Sequence, residues 1–342
     1  MVCWLAASIA LGNFIFPPKS ALCIFPMRKK ISIVTPLFNE EENVVELCER
    51  IAATMAKLPY DYEHLCIDNC SKDNTVAILR SRVKNDKNLR IIVNSRNFGY
   101  IRSSFHALLQ ASGDAAVLIA SDLQDPPEMI AEFVKKWEDG FKTVMAVKPV
   151  SDESSVMFAV RKLYYSAVGR ISEVPLIQNA TGSGLFDRAV IDILKKMNDP
   201  YPYFRGLVCE IGYPIATVPF KQPRRARGVT SQNFYSLYDM AMLGITKHSK
   251  VPLRLMTLSG FALACLSLLV AFGYFVAKLV MWNSFDIGLA PILIGIFFFG
   301  AVQMIFLGML GEYIGAIQTQ VRSLPLVVEA ERINFDATRT SD

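Results

Sequence analysis

Residues 115–128 read Ala-Ala-Val-Leu-Ile-Ala-Ser-Asp-Leu-Gln-Asp-Pro-Pro-Glu, an apolar run followed by a polar loop. Strands of a parallel sheet are covered on both faces and are therefore apolar throughout, as the start of this stretch is. Ligands of such sheets bind beyond the carboxyl ends of the strands. The stretch therefore predicts a buried parallel strand, with Asp122 and Gln124 directly behind it where a ligand would lie.

Strands and helices alternate ahead of this stretch. Short apolar runs at 31–34, 64–67 and 89–93 predict strands. Periodic segments ending near 55, at 74–83 and at 101–111 predict helices. This alternation is typical of an α/β domain with a mainly parallel sheet.

The composition indicates that part of the chain lies in lipid. Of the 342 residues, 52% are hydrophobic and 20% charged, and the mean hydropathy is +0.31. These values exclude a disordered chain and exceed those of ordinary soluble domains. The net charge of +5 is too small to indicate nucleic acid as a partner. Apolar residues concentrate after Arg254, which predicts one globular domain and a membrane portion.

Two stretches without a charged residue, 255–277 and 287–311, follow the globular part. Each can cross about 30 Å of hydrocarbon at about 1.5 Å per residue, so we predict a hairpin of two transmembrane helices. Lys250 and Arg254 precede the first helix. Because Lys and Arg are enriched on the cytoplasmic side of membrane proteins, we predict that both termini and the globular domain lie in the cytoplasm, at the cell (inner) membrane. Buried helices of a soluble protein are the alternative.

We divide the chain into five parts. They are an apolar N-terminal extension at 1–26 that need not be native, a globular domain at 27–232, an amphipathic juxtamembrane helix at 233–250, the two membrane helices within 251–315, and a cytoplasmic C-terminal tail at 316–342. The spacing of apolar residues from Phe234 to Lys247 predicts the juxtamembrane helix. The same apolar face would also suit packing against the globular domain.

The seven cysteines are scattered along the chain. They lack the paired spacing or the neighbouring histidines that a zinc site needs. We interpret them as reduced thiols that face the cytosol or the core, with Cys66 and Cys70 packing around a strand end.

The loops after the four predicted strands carry acidic and amide side chains. They span Pro36–Glu40, Asp68–Asp73, Ser95–Gly99 and Asp122–Glu128. No glycine-rich dinucleotide fingerprint follows the first strand and no P-loop pattern occurs anywhere, so dinucleotide oxidoreductases and P-loop enzymes lose their main support. Carboxylates instead suit a divalent metal, Mg²⁺ or Mn²⁺, that holds a diphosphate.

These four loops, ahead of a two-helix membrane segment, resemble the polyprenyl-phosphate glycosyltransferases of family 2, related to dolichol-phosphate mannose synthase and bactoprenol glucosyltransferase. The resemblance runs from Ile31 to Val328. It implies a GT-A nucleotide-diphospho-sugar fold that binds a nucleotide-sugar donor and a polyprenyl phosphate lipid acceptor such as undecaprenyl phosphate. The implied reaction is inverting transfer of a single sugar from a UDP-linked donor, for cell-envelope glycan or lipid modification.

The resemblance also implies roles for individual residues. The nucleotide base and ribose would contact Pro36, Phe38, Glu40 and Asp68, and the metal and the diphosphate would contact Asp122 and Gln124. We also interpret Ser95–Gly99 as part of the donor site, where Asn97 can hydrogen-bond the sugar or a carboxylate. Asp122 is in addition a catalytic candidate. Two assignments have structural alternatives, because Asn97 also suits a turn that ends at Gly99 and Asp122–Glu128 also suits the start of a helix.

Three positions depart from the pattern that the resemblance implies. Ala120 and Gly182 stand where relatives carry acidic residues, and Ser231 stands where lysine is common. The first change removes a metal ligand and the second removes a proposed catalytic base. A lipid phosphate has a second pKa of about 6 and is already an anionic nucleophile near neutral pH, so transfer does not require that base.

Positive charge is concentrated shortly before the predicted juxtamembrane helix. The cluster consists of Lys221, Arg224, Arg225 and Arg227. Because arginine can grip two phosphate oxygens at once, we assign Arg225, Arg227 and Arg205 to the acceptor phosphate, with Lys148 as a further candidate. Attraction of the cluster to anionic lipid is the alternative.

Two other functions compete with catalysis. Ala120 and Gly182 would suit a membrane adaptor that keeps the fold and lacks turnover. A processive polysaccharide synthase would need more spanning helices than the predicted pair. We favour the enzyme, and we expect it to bind the bilayer, to form a homo-oligomer and not to bind nucleic acid.

Overall fold

The computed structural model describes residues 28–148, 177, 179–220, 242, 246, 249–281, 289–322 and 324–335. The strands are β1 Lys30–Leu37, β2 Asp61–Asp68, β3 Leu89–Asn94, β4 Ala115–Leu118, β5 Thr143–Val147, β6 Ala180–Asp187, β7 Ile215–Pro219 and β8 Glu329–Ile333. The helices are α1 Val44–Met55, α2 Thr75–Val83, α3 Tyr100–Gln110, α4 Met129–Glu138, α5 Arg188–Met197, α6 Phe204–Glu210, α7 Val251–Val280 and α8 Leu289–Val321. Strand and helix alternate up to α4, as the sequence predicts.

The eight strands form one sheet in the order β7-β5-β6-β4-β1-β2-β3-β8. β4, β1, β2 and β3 are parallel neighbours, and β5 pairs with β7 in the same sense. β6 and β8 run antiparallel to their neighbours. The sheet is mixed and mostly parallel, which confirms the predicted fold class.

Helices cover both faces of the sheet. α1 lies on one face and buries Val44, Leu47 and Ile51, which recur at helical spacing. α3 and α5 bury Phe105 and Ile191 on the other face. Each such side chain contributes about 2 kcal/mol when it is fully buried. The strands between them are apolar because water reaches neither face.

The C-terminal segment differs from the separate tail that the sequence predicts at 316–342. Glu329–Ile333 returns to the sheet as the edge strand β8 beside β3. Glu329 Oε1 lies 2.6 Å from His106 Nε2 on α3, which holds the strand in place. Because edge strands are often short and charged, as β8 is, they lack the apolar alternation by which strands are recognised.

α7 and α8 are 30 and 33 residues long and leave large apolar side chains such as Phe261 and Phe297 exposed. Both helices are long and apolar enough to cross a membrane. α8 extends well beyond its predicted span, towards the globular domain. The Tyr313 hydroxyl donates a hydrogen bond to the carbonyl oxygen of Ser249 at 2.8 Å, and so joins α8 to the segment that leads into α7. Most of the predicted juxtamembrane helix at 233–250 lies outside the described residues.

Glu63 lies buried in β2, near the edge of the sheet where the parallel strands begin. Its carboxylate accepts hydrogen bonds from Lys30, Ser32 and Ser112 and pairs with Arg90 at 2.7 Å. Burial alone would raise the pKa of Glu63, but the hydrogen bonds outweigh burial and hold the pKa at about 2. The fold therefore stabilises the ionised carboxylate.

We expect Glu63→Gln to reduce the free energy of unfolding by up to about 3 kcal/mol near pH 7. Because the folded pKa is lowered, this contribution is complete above the usual carboxyl pKa and is lost as the pH falls towards 2. Thermal unfolding in detergent should therefore show a larger drop in midpoint at pH 7 than at pH 3. The exposed Glu49→Gln is the control, with little effect at either pH. Equal losses for Glu63→Gln at both pH values would contradict this account.

Candidate active site

The carboxyl ends of three parallel strands meet at one edge of the sheet. β1 pairs with β2 on one side and with β4 on the other. Phe38, Asp68 and Asp122 follow or end these strands, so they lie at the same edge. The structure therefore brings together the loops that the sequence assigns to the donor.

The predicted nucleotide contacts differ in exposure. Pro36 is buried within β1, whereas the side chain of Phe38 is 38% exposed just beyond it. Asp68 is fully buried, and its two carboxylate oxygens accept hydrogen bonds from the amide and the hydroxyl of Ser71. Burial raises the pKa of Asp68, and the bonds from Ser71 oppose that rise. Phe38 is thus accessible just beyond β1, and Asp68 shapes the turn that follows β2.

Glu40 connects the loops that follow β1 and β4. One carboxylate oxygen accepts a hydrogen bond from Asn43 at 2.7 Å, and the other accepts one from the Ser121 hydroxyl at 3.1 Å. The Glu40 amide donates to the Thr75 hydroxyl at 2.9 Å, at the start of α2. Glu40 therefore fixes the position of Ser121, the residue before Asp122.

Asn97 has the turn role that the sequence left as an alternative. Its side-chain oxygen accepts hydrogen bonds from the Asn69 side chain and from the Gly99 amide, both at 2.8 Å. Gly99 has a φ of +85°, a conformation that favours glycine, and α3 begins at the next residue. The contact of Asn97 with a donor stays a prediction.

The loop after β4 is a tight turn that presents carboxylates. The Gln124 amide donates to Asp122 Oδ1 at 3.2 Å, and Leu123 between them has a φ of +57°. Asp125 is buried and accepts a hydrogen bond from Ser183 on β6. Pro126 and Pro127 then lead into α4, so the loop is both a polar cluster and the start of a helix, as the sequence allows.

Arg205 projects from the first turn of α6 towards this loop. Its Nη2 donates to the Thr181 carbonyl oxygen at 3.0 Å. Gly182 has a φ of +102°, and a Cβ built on it would lie 3.8 Å from Arg205 Nη2. Asp125, in the loop after β4, is hydrogen-bonded to Ser183, two residues beyond Thr181 on the same strand. Arg205 and that acidic loop therefore meet at β6 and form one charged cluster.

The two positions where the resemblance implies acidic residues lie on or just beyond paired strands. β4 and β6 pair with Leu118 opposite Gly184. Ala120 lies two residues beyond the end of β4, and Gly182 lies within β6 two residues before Gly184. A regular antiparallel register continued to these residues would set them opposite each other; Gly182 lies beside the Arg205 guanidinium.

Comparison with known proteins identifies the family of this fold. The sequence model of Glycosyl transferase family 2 matches residues 32–190. An uncharacterized glycosyltransferase of Synechocystis is 32% identical over 306 residues, which cover 89% of this chain and 96% of that relative. The chain belongs to glycosyltransferase family 2. A bactoprenol glucosyl transferase of Shigella phage SfII is also similar to this family 2 enzyme, with 33% identity over 86% of the chain and 96% of the relative.

Solved structures resemble the family 2 enzyme more distantly. Glucosyl-3-phosphoglycerate synthase of Mycobacterium tuberculosis, crystallised with Mn²⁺, UDP-glucose and phosphoglyceric acid, is 19% identical with a TM-score of 0.42. That match covers 64% of this chain and 78% of the synthase. The GT-A fold of the family 2 enzyme stays a prediction from the sequence resemblance.

The polar groups of this glycosyltransferase fit a hard divalent cation. Asp122, Gln124 and Asp125 offer carboxylate and amide oxygens, which Mg²⁺ and Mn²⁺ prefer. Burial raises the pKa of Asp125, and the nearby charge of Asp122 raises it further. A cation beside the two carboxylates would offset that repulsion. The assignment of Asp122 and Gln124 as metal ligands stays a prediction.

The predicted acceptor residues of the glycosyltransferase are only partly described. Arg225 and Arg227, with Lys221, Arg224 and Ser231, lie outside the described residues. Lys148 follows β5, and its amide donates to the Asn179 carbonyl oxygen at 3.0 Å. Of the three arginines predicted to contact the acceptor, Arg205 is therefore the one that the structure describes.

The described cysteines of the glycosyltransferase are free thiols, and Cys48, Cys66 and Cys209 are buried in the core, as the sequence interpretation predicts. The ligand atoms of Cys48 on α1 and of His64 and Cys66 on β2 lie within 4.8 Å of one another. The interpretation of thiols without a neighbouring histidine is wrong for Cys48 and Cys66. The signal in the sequence is the spacing His64-x-Cys66, which puts both side chains on one face of a strand.

Proposed function

We propose that this chain transfers a single sugar, with inversion, from a UDP-linked sugar to a polyprenyl phosphate such as undecaprenyl phosphate. One observation carries the proposal: Asp125, in the same loop as Asp122, is hydrogen-bonded to Ser183, and Arg205 is hydrogen-bonded to Thr181 on the same strand, so an acidic loop suited to a cation and a guanidinium suited to a phosphate meet at β6. The name of the bactoprenol glucosyl transferase relative supports a polyprenyl acceptor. The product would serve cell-envelope glycan or lipid modification.

Donor binding is divided among the loops of this edge. Phe38 offers an exposed ring face to the nucleotide base, with Pro36, Glu40 and Asp68 forming the walls behind it. Asp122 and Gln124 hold the diphosphate through Mg²⁺ or Mn²⁺. When bound, the divalent ion neutralises charge on the departing nucleoside diphosphate.

The acceptor phosphate supplies the nucleophile. One of its oxygens forms a bond to the anomeric carbon from the face opposite the diphosphate, and the bond to the diphosphate breaks with its electron pair leaving on that group. Because the phosphate monoester is already anionic near neutral pH, no residue has to remove a proton. Arg205, with Arg225 and Arg227, orients the phosphate so that an oxygen faces the sugar.

We place the reaction at the cytoplasmic leaflet of the cell (inner) membrane. α7 and α8 anchor the chain as a multi-pass protein, and Lys250 and Arg254 at the start of α7 favour the cytoplasmic side. A polyprenyl phosphate buried in the same leaflet would expose its headgroup beside the anchored domain. Assembly into a homo-oligomer is a further expectation.

A catalytically silent adaptor is the second candidate, because Ala120 and Gly182 leave the site without two acidic residues that the resemblance implies. The adaptor hypothesis predicts donor binding without turnover. In our proposal, by contrast, the ionised acceptor phosphate and Asp122 are enough for transfer, although Ala120 and Gly182 are not acidic.

An acceptor series tests the proposed function. Purified chain is incubated with labelled UDP-sugars and either undecaprenyl phosphate, undecaprenyl diphosphate or undecaprenol, and label is counted in the organic phase. We expect a sugar lipid from the monophosphate alone, since its oxygen is the nucleophile. Transfer to the alcohol instead of the monophosphate would overturn the proposal, and donor binding without any product would favour the adaptor.

Restoring an acid at position 182 should not improve this enzyme. We expect Gly182→Asp to lower kcat at least tenfold, since its carboxylate would pair with the Arg205 guanidinium. Any side chain at a φ of +102° also carries a backbone cost of about 1–3 kcal/mol. Gly182→Ala has the same backbone cost without the carboxylate and is the matched control. A Gly182→Asp variant faster than wild type would show that the site needs a base.

A further inference from the structure

Four polar side chains meet inside the core between α1 and the sheet, away from the site already described. Cys48 comes from α1, His64 and Cys66 come from β2, and Thr35 comes from β1 opposite Cys66. The cysteines and the histidine are 0–3% exposed, and Thr35 is 0% exposed. Among the described residues, Cys48, His64 and Cys66 form the one group of three cysteine, histidine, aspartate or glutamate side chains that lie close enough together to share a metal ion.

The separations are close to those of ligands around one zinc ion. With metal–ligand bonds of about 2.0–2.3 Å, two ligands of a tetrahedral ion lie about 3.3–3.8 Å apart. His64 Nε2 lies 3.4 Å from Cys66 Sγ and 3.1 Å from Thr35 Oγ1, so a thiol and a hydroxyl converge on one ring nitrogen. The two sulfurs and the ring nitrogen all lie within 4.8 Å of one another.

We propose that Cys48, His64 and Cys66 form a closed structural site for Zn²⁺, with the Thr35 hydroxyl in the fourth position. Thiolate and imidazole are the ligands that Zn²⁺ takes in such sites. Two thiolates and a neutral imidazole balance the charge of the ion, so the core gains no net charge. Binding releases the two thiol protons to solvent.

An ion at this position would bind sulfurs from two different elements, Cys48 on α1 and Cys66 on β2. It would also tie α1 to β2 two residues before Asp68, and so stiffen the donor edge of the sheet.

Metal analysis of the full-length chain in detergent tests the proposal. Chain from zinc-supplemented cells, with its affinity tag removed, should hold roughly one zinc ion per chain, and chain from cobalt-supplemented cells should absorb through thiolate-to-cobalt charge transfer. Cys48→Ser and Cys66→Ser should each lose the ion and the absorption. Cys209→Ser, which changes a buried thiol on α6, and Cys70→Ser, which changes a thiol outside the cluster, should keep both.

The wild-type chain decides the question if the core variants fail to fold. A wild-type chain that is folded and free of zinc, and that shows no cobalt–thiolate absorption, would overturn the proposal. So would full zinc retention in Cys48→Ser or Cys66→Ser. Zinc that is retained in both core variants and lost in Cys70→Ser would assign the ion to a half-buried thiol outside the cluster, and this too would overturn the proposal.

Discussion

Asp122→Asn is expected to lower kcat for sugar transfer by about a hundredfold to a thousandfold. The substitution keeps the shape of the side chain and its acceptor oxygen for the Gln124 amide, so the turn after β4 should survive. It removes the charge that would hold a divalent cation against the diphosphate. The loss should therefore appear in turnover and in Mn²⁺ affinity together.

A matched carboxylate separates this effect from a change in overall charge. Asp139 is half-exposed at the end of α4, far along the chain from the ligand edge, and Asp139→Asn should leave kcat unchanged. Mn²⁺ binding measured by electron paramagnetic resonance on the same samples gives a readout besides activity. Turnover within threefold of wild type in Asp122→Asn would remove Asp122 from the proposed chemistry.

Arg205→Ala is expected to lower kcat/KM for the polyprenyl phosphate by about a hundredfold. The guanidinium donates a hydrogen bond to the Thr181 carbonyl oxygen and lies beside Gly182, which has no side chain. If it orients the acceptor phosphate, the loss should fall on the acceptor and leave donor affinity within a few fold. Arg205→Lys should recover only part of the rate, because lysine keeps the charge but not the planar pair of donors.

Two measurements separate this orienting role from simple packing. Arg28→Ala changes a half-exposed arginine at the start of β1, the opposite edge of the sheet, and should leave kcat/KM unchanged. Arg205→Ala should reduce the free energy of unfolding by no more than about 1.5–3 kcal/mol, the value of one hydrogen bond that involves a charged group. Equal losses towards donor and acceptor would contradict the assignment of Arg205 to the acceptor.

The sequence predicts the centre of this fold well because its signals there are local. The apolar run at 115–120 and the carboxylate loop behind it both lie within one short segment, and the structure has β4 and the turn at Asp122 in those places. Parallel strands must also end at a common edge. That rule is enough to bring Phe38, Asp68 and Asp122 together without knowledge of any contact.

The features that the sequence misses depend on partners far along the chain. β8 is recognisable only once β3 stands beside it, since Glu329–Ile333 is charged and does not alternate cleanly. Asn97 could face a ligand or a turn, and the choice rests on Asn69 on a different loop. Cys48 and Cys66 are brought together by the packing of α1 on β2, which no spacing in the sequence encodes.

Sugar transfer to the lipid is the most direct test of the central claim. Membranes carrying the wild-type chain are incubated with undecaprenyl phosphate, Mg²⁺ or Mn²⁺ and a panel of labelled nucleotide sugars. The account predicts a labelled lipid in the organic phase with at least one donor, and none from membranes carrying Asp122→Asn. Absence of labelled lipid across the whole panel, from chain that is folded and binds nucleotide sugar, would contradict it.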